Sequence, residues 1–229
     1  MPFKENLQTL RHLMNNMTQD DLAHALGVSR QTISKWELGQ SEPELGRIRD
    51  LAAFFHVTVD ELLDPEFGQS ESHFSEIEVV RLPAFSSIPY TVISREPEDD
   101  AIRHAHLIAQ SLGIQDPDII GWDFPSVSQE QVNVGHMHGY VAAVRLPDGV
   151  SIDTKDHPIM TRPSQTYVTI TVTDPFKAPF RLIPGAYKAL MRYMQINRIP
   201  PLREEDRFCF EKTWNDDGVD MMDILIAIG

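Results

Sequence analysis

Four polar side chains that can form hydrogen bonds with DNA bases lie within six residues of one another, at Arg30, Gln31, Ser34 and Lys35. On a helix, Ser34 and Lys35 would lie one turn beyond Arg30 and Gln31. Arginine can donate two hydrogen bonds to guanine and glutamine can pair with adenine, and each such contact provides about 1–3 kcal/mol of base discrimination. These residues therefore predict a surface that reads base edges.

The element that must carry these side chains is a short helix capped by Ser29. A preceding helix begins at Thr18, where the sequence is close to a capping box, and ends at Gly27. Ala23 supplies the small residue and Ile33 the apolar anchor of a helix-turn-helix. Such a turn places the first turn of the second helix at the base edges of the major groove.

Helical spacing of apolar residues extends from Phe3 to Leu63, and capping residues divide this stretch into five short helices. We therefore expect an all-α domain over residues 1–64. Gln19, at the start of the second helix, is expected to lie against a DNA phosphate.

The run from Met17 to Pro43, MTQDDLAHALGVSRQTISKWELGQSEP, resembles the Xre/phage-repressor helix-turn-helix family very closely. The resemblance covers about residues 3–64 and implies that the partner is a double-stranded DNA operator. It also implies a phosphate clamp at Gln19 and base or backbone contacts at Arg30, Gln31, Thr32 and Lys35.

The charge of the chain argues against DNA binding through bulk electrostatic attraction. The formal net charge is −14, and residues 1–65 alone contain six basic against ten acidic residues. DNA contacts must therefore come from a small local basic cluster, and the affinity of one protomer is expected to be modest. A homodimer that reads half-sites about 34 Å apart is the expected binding form.

The composition predicts a soluble, cytoplasmic protein. No window of 18 apolar residues is present, and the start MPFKEN lacks an apolar signal region, so neither a membrane span nor export is expected. Cys209 is the only cysteine, which excludes an internal disulfide and a thiolate zinc cage and fits a reducing compartment.

The polar stretch 65–74 predicts a linker, and residues 75–229 predict a second, α+β domain. A strand at 76–82 is expected to continue after Pro83 through a bulge. Strand–helix–strand–strand then occurs twice, which indicates an internal duplication. The expected elements are strands at 84–94, 118–124, 139–145, 166–172, 207–214 and 222–228, and helices at 97–113 and 183–199.

Two such repeats can join their sheets and place both helices on one face, which leaves a groove for a small molecule. The candidate lining residues are aromatic or acidic: Tyr90, Trp122, Tyr140, Tyr167, Tyr187 and Glu211. Glu211 lies in the middle of a strand, where a carboxylate is costly to bury alone, and spacing by itself favours solvent or an ion pair. For Tyr167, solvent is as consistent with the pattern as a pocket.

Residues 75–229 resemble the GyrI-like, or AraC effector-binding, domain. The resemblance is carried by Ile120–Pro125, Ile183–Tyr187 with Leu190 and Tyr193, and Phe208–Glu211. It implies that Glu211 contacts a cationic or polar group of a ligand, with Trp122 and Tyr140 as aromatic walls. A carboxylate with aromatic rings suits a cationic, flat or amphipathic molecule.

Together these features predict a ligand-sensing transcription regulator that is not an enzyme and has no cofactor. The alternatives are a hydrolase of small molecules with Glu211 as acid/base, and a sequestering protein. His136 and His138 have the spacing of metal ligands on a strand, but they need a third donor, and the pattern favours two surface histidines beside a loop. No metal site is therefore predicted.

Overall fold

The computed structural model describes residues 2–64, 73–147, 157–203, 206 and 208–229. The chain divides into two compact units. The first comprises Met1–Phe74 together with Tyr187–Pro201, and the second comprises Ser75–Ala186 and Leu202–Gly229. The described helices are not long and apolar enough for any of them to cross a membrane.

The first unit contains the five expected helices, whose ends follow the predicted caps. They are α1 (Pro2–Leu13), α2 (Gln19–Leu26), α3 (Arg30–Glu37), α4 (Leu45–Phe55) and α5 (Val59–Leu63). Thr18 forms a capping box with Asp21, and Gly27 ends α2 in the left-handed conformation with φ +64°. Ser29 caps α3 by accepting a hydrogen bond from the Thr32 backbone N–H at 3.1 Å. These local signals fix the turn between α2 and α3.

The core of this unit includes one side chain from far along the sequence. Its central, fully buried residues are Leu7, Leu10, Leu22, Ile33, Leu51, Phe55 and Leu62, and Ile196 joins them with an exposed fraction of 0%. Ile196 is the last residue of helix α8 (Pro179–Ile196). The end of that helix is therefore an integral part of the helical unit.

Hydrogen bonds fix the residues around Ile196 to the helical unit. The Asn197 Nδ2 donates to the Leu13 carbonyl at 2.8 Å, and the Arg198 Nε donates to His56 Nε2 at 2.6 Å. The sequence predicts a division at residues 65–74, of which 65–72 lie outside the described residues, and that division stays a prediction.

Ile196→Ala is expected to destabilise the first unit by about 2–5 kcal/mol, because it removes buried methyl and methylene groups and leaves a cavity. Met191→Ala, on an exposed position of the same helix, is the control and should change stability by less than about 0.5 kcal/mol. Urea unfolding, monitored by hydrogen exchange of the α2 and α3 amides, measures the change in stability of each variant. Equal urea midpoints for the two variants would show that the first unit does not depend on the Ile196 side chain.

The second unit is built on one antiparallel sheet of eight strands in the order β1-β6-β8-β7-β3-β4-β2-β5. The strands are β1 (Glu78–Leu82), β2 (Phe85–Ser94), β3 (Asp118–Asp123), β4 (His138–Arg145), β5 (Met160–Arg162), β6 (Gln165–Thr173), β7 (Cys209–Asp216) and β8 (Val219–Ile228). Helix α6 (Pro97–Ser111) packs its buried alanines against β4.

The sheet order confirms the internal duplication. The first repeat, β2-α6-β3-β4, contributes neighbouring strands in the order β2-β4-β3, and the second, β6-α8-β7-β8, contributes β6-β8-β7. The two halves therefore meet at β3 and β7, where Gly121 pairs with Glu211. The junction of the repeats places Glu211 at the centre of the sheet.

One expectation for this unit is wrong: β1 and β2 do not form a single bulged strand. Strand β1 pairs with β6, whereas β2 pairs with β4 and β5 near the other end of the sheet order. Only Pro83 and Ala84 separate the two strands, so the sheet curls. An aromatic and aliphatic cluster with residues from every strand fills the inside of the curl.

Three smaller elements also differ from the expectation. Helix α8 begins at Pro179, before the expected start at Ile183, and contains Pro184. Helix α7 (Gln129–Asn133) and strand β5 were not expected. The sequence does contain a signal for the start of α7, since Ser128 and Gln131 form a capping box.

Candidate nucleic-acid interface and binding cavity

Helix α3 has one buried face and one polar face. Ile33, Trp36 and Glu37 are buried, whereas Arg30, Gln31 and Lys35 are exposed. Ser34 lies half-buried one turn after Arg30. The structure therefore brings these four predicted contact residues together on one helix, with three of them exposed.

Two of the predicted contact residues also have partners within the protein. The Arg30 Nε lies 3.7 Å from Asp20 Oδ2, and both side chains are largely exposed, so this ion pair is weak and open to exchange for a phosphate. The half-buried Thr32 has its Oγ1 2.9 Å from Ser29 Oγ. The Thr32 side chain therefore contributes to the N-cap of α3 and is less available for contact with DNA.

Gln19 belongs to a buried network that joins α1, α2 and α3. Its Nε2 donates to Glu37 Oε2 at 2.7 Å, and the Arg11 Nε donates to Glu37 Oε1 at 2.8 Å. The side chains of Glu37 and Arg11 are only 2% and 12% exposed. The network fixes Gln19 at the N-terminus of α2, where backbone N–H groups can also meet a phosphate.

A cavity of about 80 Å³ lies in the second unit against the junction of the two repeats. Two or three water molecules at about 30 Å³ each would fill it. Helix α6, the short 3-10 helix Pro175–Lys177 and four strands supply its walls. Its lining residues are Glu98, Asp99, Ile102, Ile119, Ile120, Gly121, Tyr140, Phe176, Glu211, Thr213 and Met222.

The floor of the cavity is formed by Tyr140 beside Glu211. The Tyr140 hydroxyl donates to Glu211 Oε2 at 3.4 Å, a long hydrogen bond, and Tyr140 is 6% exposed. The ring lies so close to Gly121 that a Cβ at this position would overlap it. Glycine at 121 therefore permits the aromatic ring to lie across the strand that pairs with Glu211.

Glu98 and Asp99, in the first turn of α6, bring two further carboxylates to the mouth of the cavity. Glu98 is exposed over much of its side chain. Even so, partial loss of hydration raises the pKa of its carboxyl group, and repulsion from Asp123 and Asp99 raises it further. The sequence did not identify these two residues as cavity residues. Acidic residues are common in the first turn of a helix, where they interact favourably with the helix dipole, so Glu98 and Asp99 have an ordinary explanation there.

Trp122 and Tyr167 are not brought together with Glu211. Both belong to the cluster inside the curl, where Trp122 packs edge-on against Phe208 at 5.1 Å between ring centroids. The guanidinium of Arg162 lies 3.9 Å from the centroid of the Phe208 ring. Burial raises the pKa of Tyr167, an effect that Arg162 and Arg145 partly offset. The cation next to these aromatic rings is therefore supplied by the protein itself.

The remaining predicted residues lie outside the cavity lining. Tyr90 stacks on His104 with ring centroids 4.4 Å apart, and Tyr187 lies half-buried in α8, within the stretch that belongs to the first unit. His136 and His138 are exposed, and the described residues contain no group of three potential metal ligands. Of the six predicted ligand residues, the structure thus places Glu211 and Tyr140 in one cavity.

Among solved structures, the chain resembles the cryo-EM structure of an EcmrR–DNA complex. The match has a TM-score of 0.48 and 14% sequence identity and covers 93% of this chain and 84% of that one. At this score the similarity carries no functional inference.

Sequence comparison gives a closer relationship for the first unit. The family model described as helix-turn-helix matches residues 7–62. The HTH-type transcriptional activator BcrR of Enterococcus faecalis is 48% identical over 66 residues, which are 29% of this chain and only 32% of BcrR. The uncharacterized HTH-type transcriptional regulator MJ0272 of Methanocaldococcus jannaschii is 44% identical over 59 residues, 26% of this chain and 88% of that protein. The chain belongs to the helix-turn-helix family of DNA-binding transcriptional regulators.

Proposed function

We propose that this regulator binds its operator as a homodimer through α3 and senses a small cationic organic molecule in the cavity of its second unit. The observation that carries the ligand class is the pair of Tyr140 and Glu211 on the cavity floor. A carboxylate beside an aromatic ring attracts a cation both by charge and through the face of the ring. The long hydrogen bond between the two groups is easily exchanged for a contact with a ligand.

The homodimer follows from the charge of the chain. A protomer with a net charge of −14 gains little from non-specific attraction to DNA. Two protomers related by a twofold axis would provide two sets of base contacts and so raise the affinity. Two α3 helices placed one helical turn of DNA apart would read half-sites about 34 Å apart. A ligand controls such a dimer if it binds two arrangements of the protomers with different affinities.

We propose helix α8 as the route from ligand to DNA. Phe176, at the mouth of the cavity, precedes the start of this helix at Pro179, and the last part of the helix belongs to the first unit. Ile196 at its end is buried in the helical core. A ligand that displaces Phe176 would therefore act close to the start of α8, a helix that contributes residues to both units.

Glu211→Gln is expected to weaken binding of a cationic ligand at least about tenfold, the loss of one charge-assisted contact of about 1.5–3 kcal/mol. Titration calorimetry with 4-ethylbenzylamine and its neutral counterpart, 4-ethylbenzyl alcohol, separates charge from shape. The variant should lose affinity for the amine and keep its weaker affinity for the alcohol.

Glu130→Gln, an exposed glutamate in the first turn of α7, is the matched control and should bind like the parent protein. Equal binding of amine and alcohol to the parent protein would refute the cationic site. A hydrolase would instead show turnover that Glu211→Gln abolishes, and a sequestering protein would bind ligand without binding an operator.

A further inference from the structure

The three carboxylates of the cavity lie at two levels. Glu211 is half-buried beside the buried Tyr140, whereas Glu98 and Asp99 are exposed at the mouth. None of the described lining residues is basic. A singly charged ligand that pairs with Glu211 would therefore leave the acidic mouth of the cavity without a counter-ion.

Glu98 differs from the neighbouring acid Asp100 in its partners. Asp100 accepts a hydrogen bond from Ser94 and pairs with Arg103. The side chain of Glu98 has no hydrogen bond or ion pair with the described residues. Among the described residues, Asp123 on β3 and Asp99 on α6 act electrostatically on Glu98, and Tyr140 on β4 and Glu211 on β7 line the same cavity. Asp123 and Asp99 disfavour a negative charge on Glu98, and a cationic group would relieve this repulsion.

We propose that the cavity selects organic dications, with one cationic group at Glu211 and Tyr140 and the second at Glu98. The side chains of Ile102, Ile119 and Met222 line the same cavity, so an apolar group is the natural connection between the two charges. The inference rests on the proposed function and assigns to Glu98 the choice between singly and doubly charged ligands.

The test uses two ligands of the same shape that differ by one charge. In 1,4-bis(aminomethyl)benzene, an ammonium group replaces the terminal methyl group of 4-ethylbenzylamine. The full-length protein is expected to bind the diamine at least about tenfold more tightly, as a second charge-assisted contact would give. Glu98→Gln should reduce this preference to less than about twofold, because it weakens binding of the diamine more than binding of the monoamine, and Glu130→Gln should retain the preference.

The preference for the dication is also expected to depend on pH. The carboxylate of Glu98 must be ionised to pair with a cation, and its raised pKa means that it takes up a proton at a higher pH than an ordinary glutamate. The preference should therefore be complete at neutral and higher pH, and on acidification it should begin to fall at a higher pH than the protonation of an ordinary glutamate would give. In Glu98→Gln the ratio of the two affinities should not change with pH.

The outcomes separate this inference from the proposed function. If the monoamine binds through Glu211 but the diamine binds no better, the second cationic position is refuted and the first stands. If the diamine binds more tightly but Glu98→Gln keeps that preference, the assignment of the second cationic position to Glu98 is refuted. If neither amine binds, the cation site itself is refuted, and with it the role of Glu98.

Discussion

Glu37→Ala is expected to destabilise the first unit by about 3–5 kcal/mol, enough to unfold it near physiological temperature. The carboxylate is 2% exposed and accepts hydrogen bonds from both Arg11 and Gln19. Its removal leaves the guanidinium of Arg11 buried without its counter-ion, and a buried unpaired charge costs far more than the pair contributes. Urea unfolding monitored by circular dichroism measures the loss.

A double variant distinguishes an unpaired charge from a simple loss of packing. Arg11→Met combined with Glu37→Leu removes both charges and keeps apolar volume, so stability should return to within about 1–2 kcal/mol of the parent. If Glu37→Ala alone costs less than about 1 kcal/mol, the network contributes little to holding α1, α2 and α3 together. The placement of Gln19 would then need another explanation.

Arg30→Ala combined with Gln31→Ala is expected to abolish operator selectivity. The two side chains lie exposed in the first turn of α3, and each base contact provides about 1–3 kcal/mol. Their joint loss of about 2–6 kcal/mol per half-site corresponds to at least about 30-fold in the ratio of specific to non-specific affinity. Fluorescence anisotropy at fixed salt, with an operator selected in vitro on the parent protein, gives this ratio.

Arg49→Ala is the control, because it removes an exposed positive charge from α4. It should weaken binding to selected and unselected DNA by the same factor, as the loss of a general electrostatic contribution does. Unchanged selectivity in the variant that lacks both Arg30 and Gln31 would exclude these residues as base readers.

The helical unit was predictable because its signals are local. The caps at Thr18 and Ser29 and the end of α2 at Gly27 depend on residues within a few positions, and each was confirmed. The contribution of Ile196 was not predictable, because it is a contact with residues more than a hundred positions away. The sequence predicts that Ile196 belongs to a helix, but it does not show which core the side chain joins.

The cavity was predictable only in part. The duplication predicts a groove between the two helices, whereas the described lining residues come from α6, the 3-10 helix and the sheet, and none from α8. Joining the two repeats brings Gly121 and Glu211 together beside this cavity. Trp122 and Tyr167 have the right residue types but turn to the inside of the curl, where Arg162 already lies against the aromatic cluster. The residue type predicts that an aromatic ring can bind a cation. Which cation lies next to the ring depends on the curl of the sheet.

The central claim is that the polar face of α3 enters the major groove of DNA. Methylation interference on the selected operator tests it directly, because methylation of guanine N7 modifies the major groove and methylation of adenine N3 modifies the minor groove. We expect N7 methylation to block binding at guanines within each half-site and to lose its effect in Arg30→Ala. Interference confined to adenine N3, or none at all, would contradict the claim.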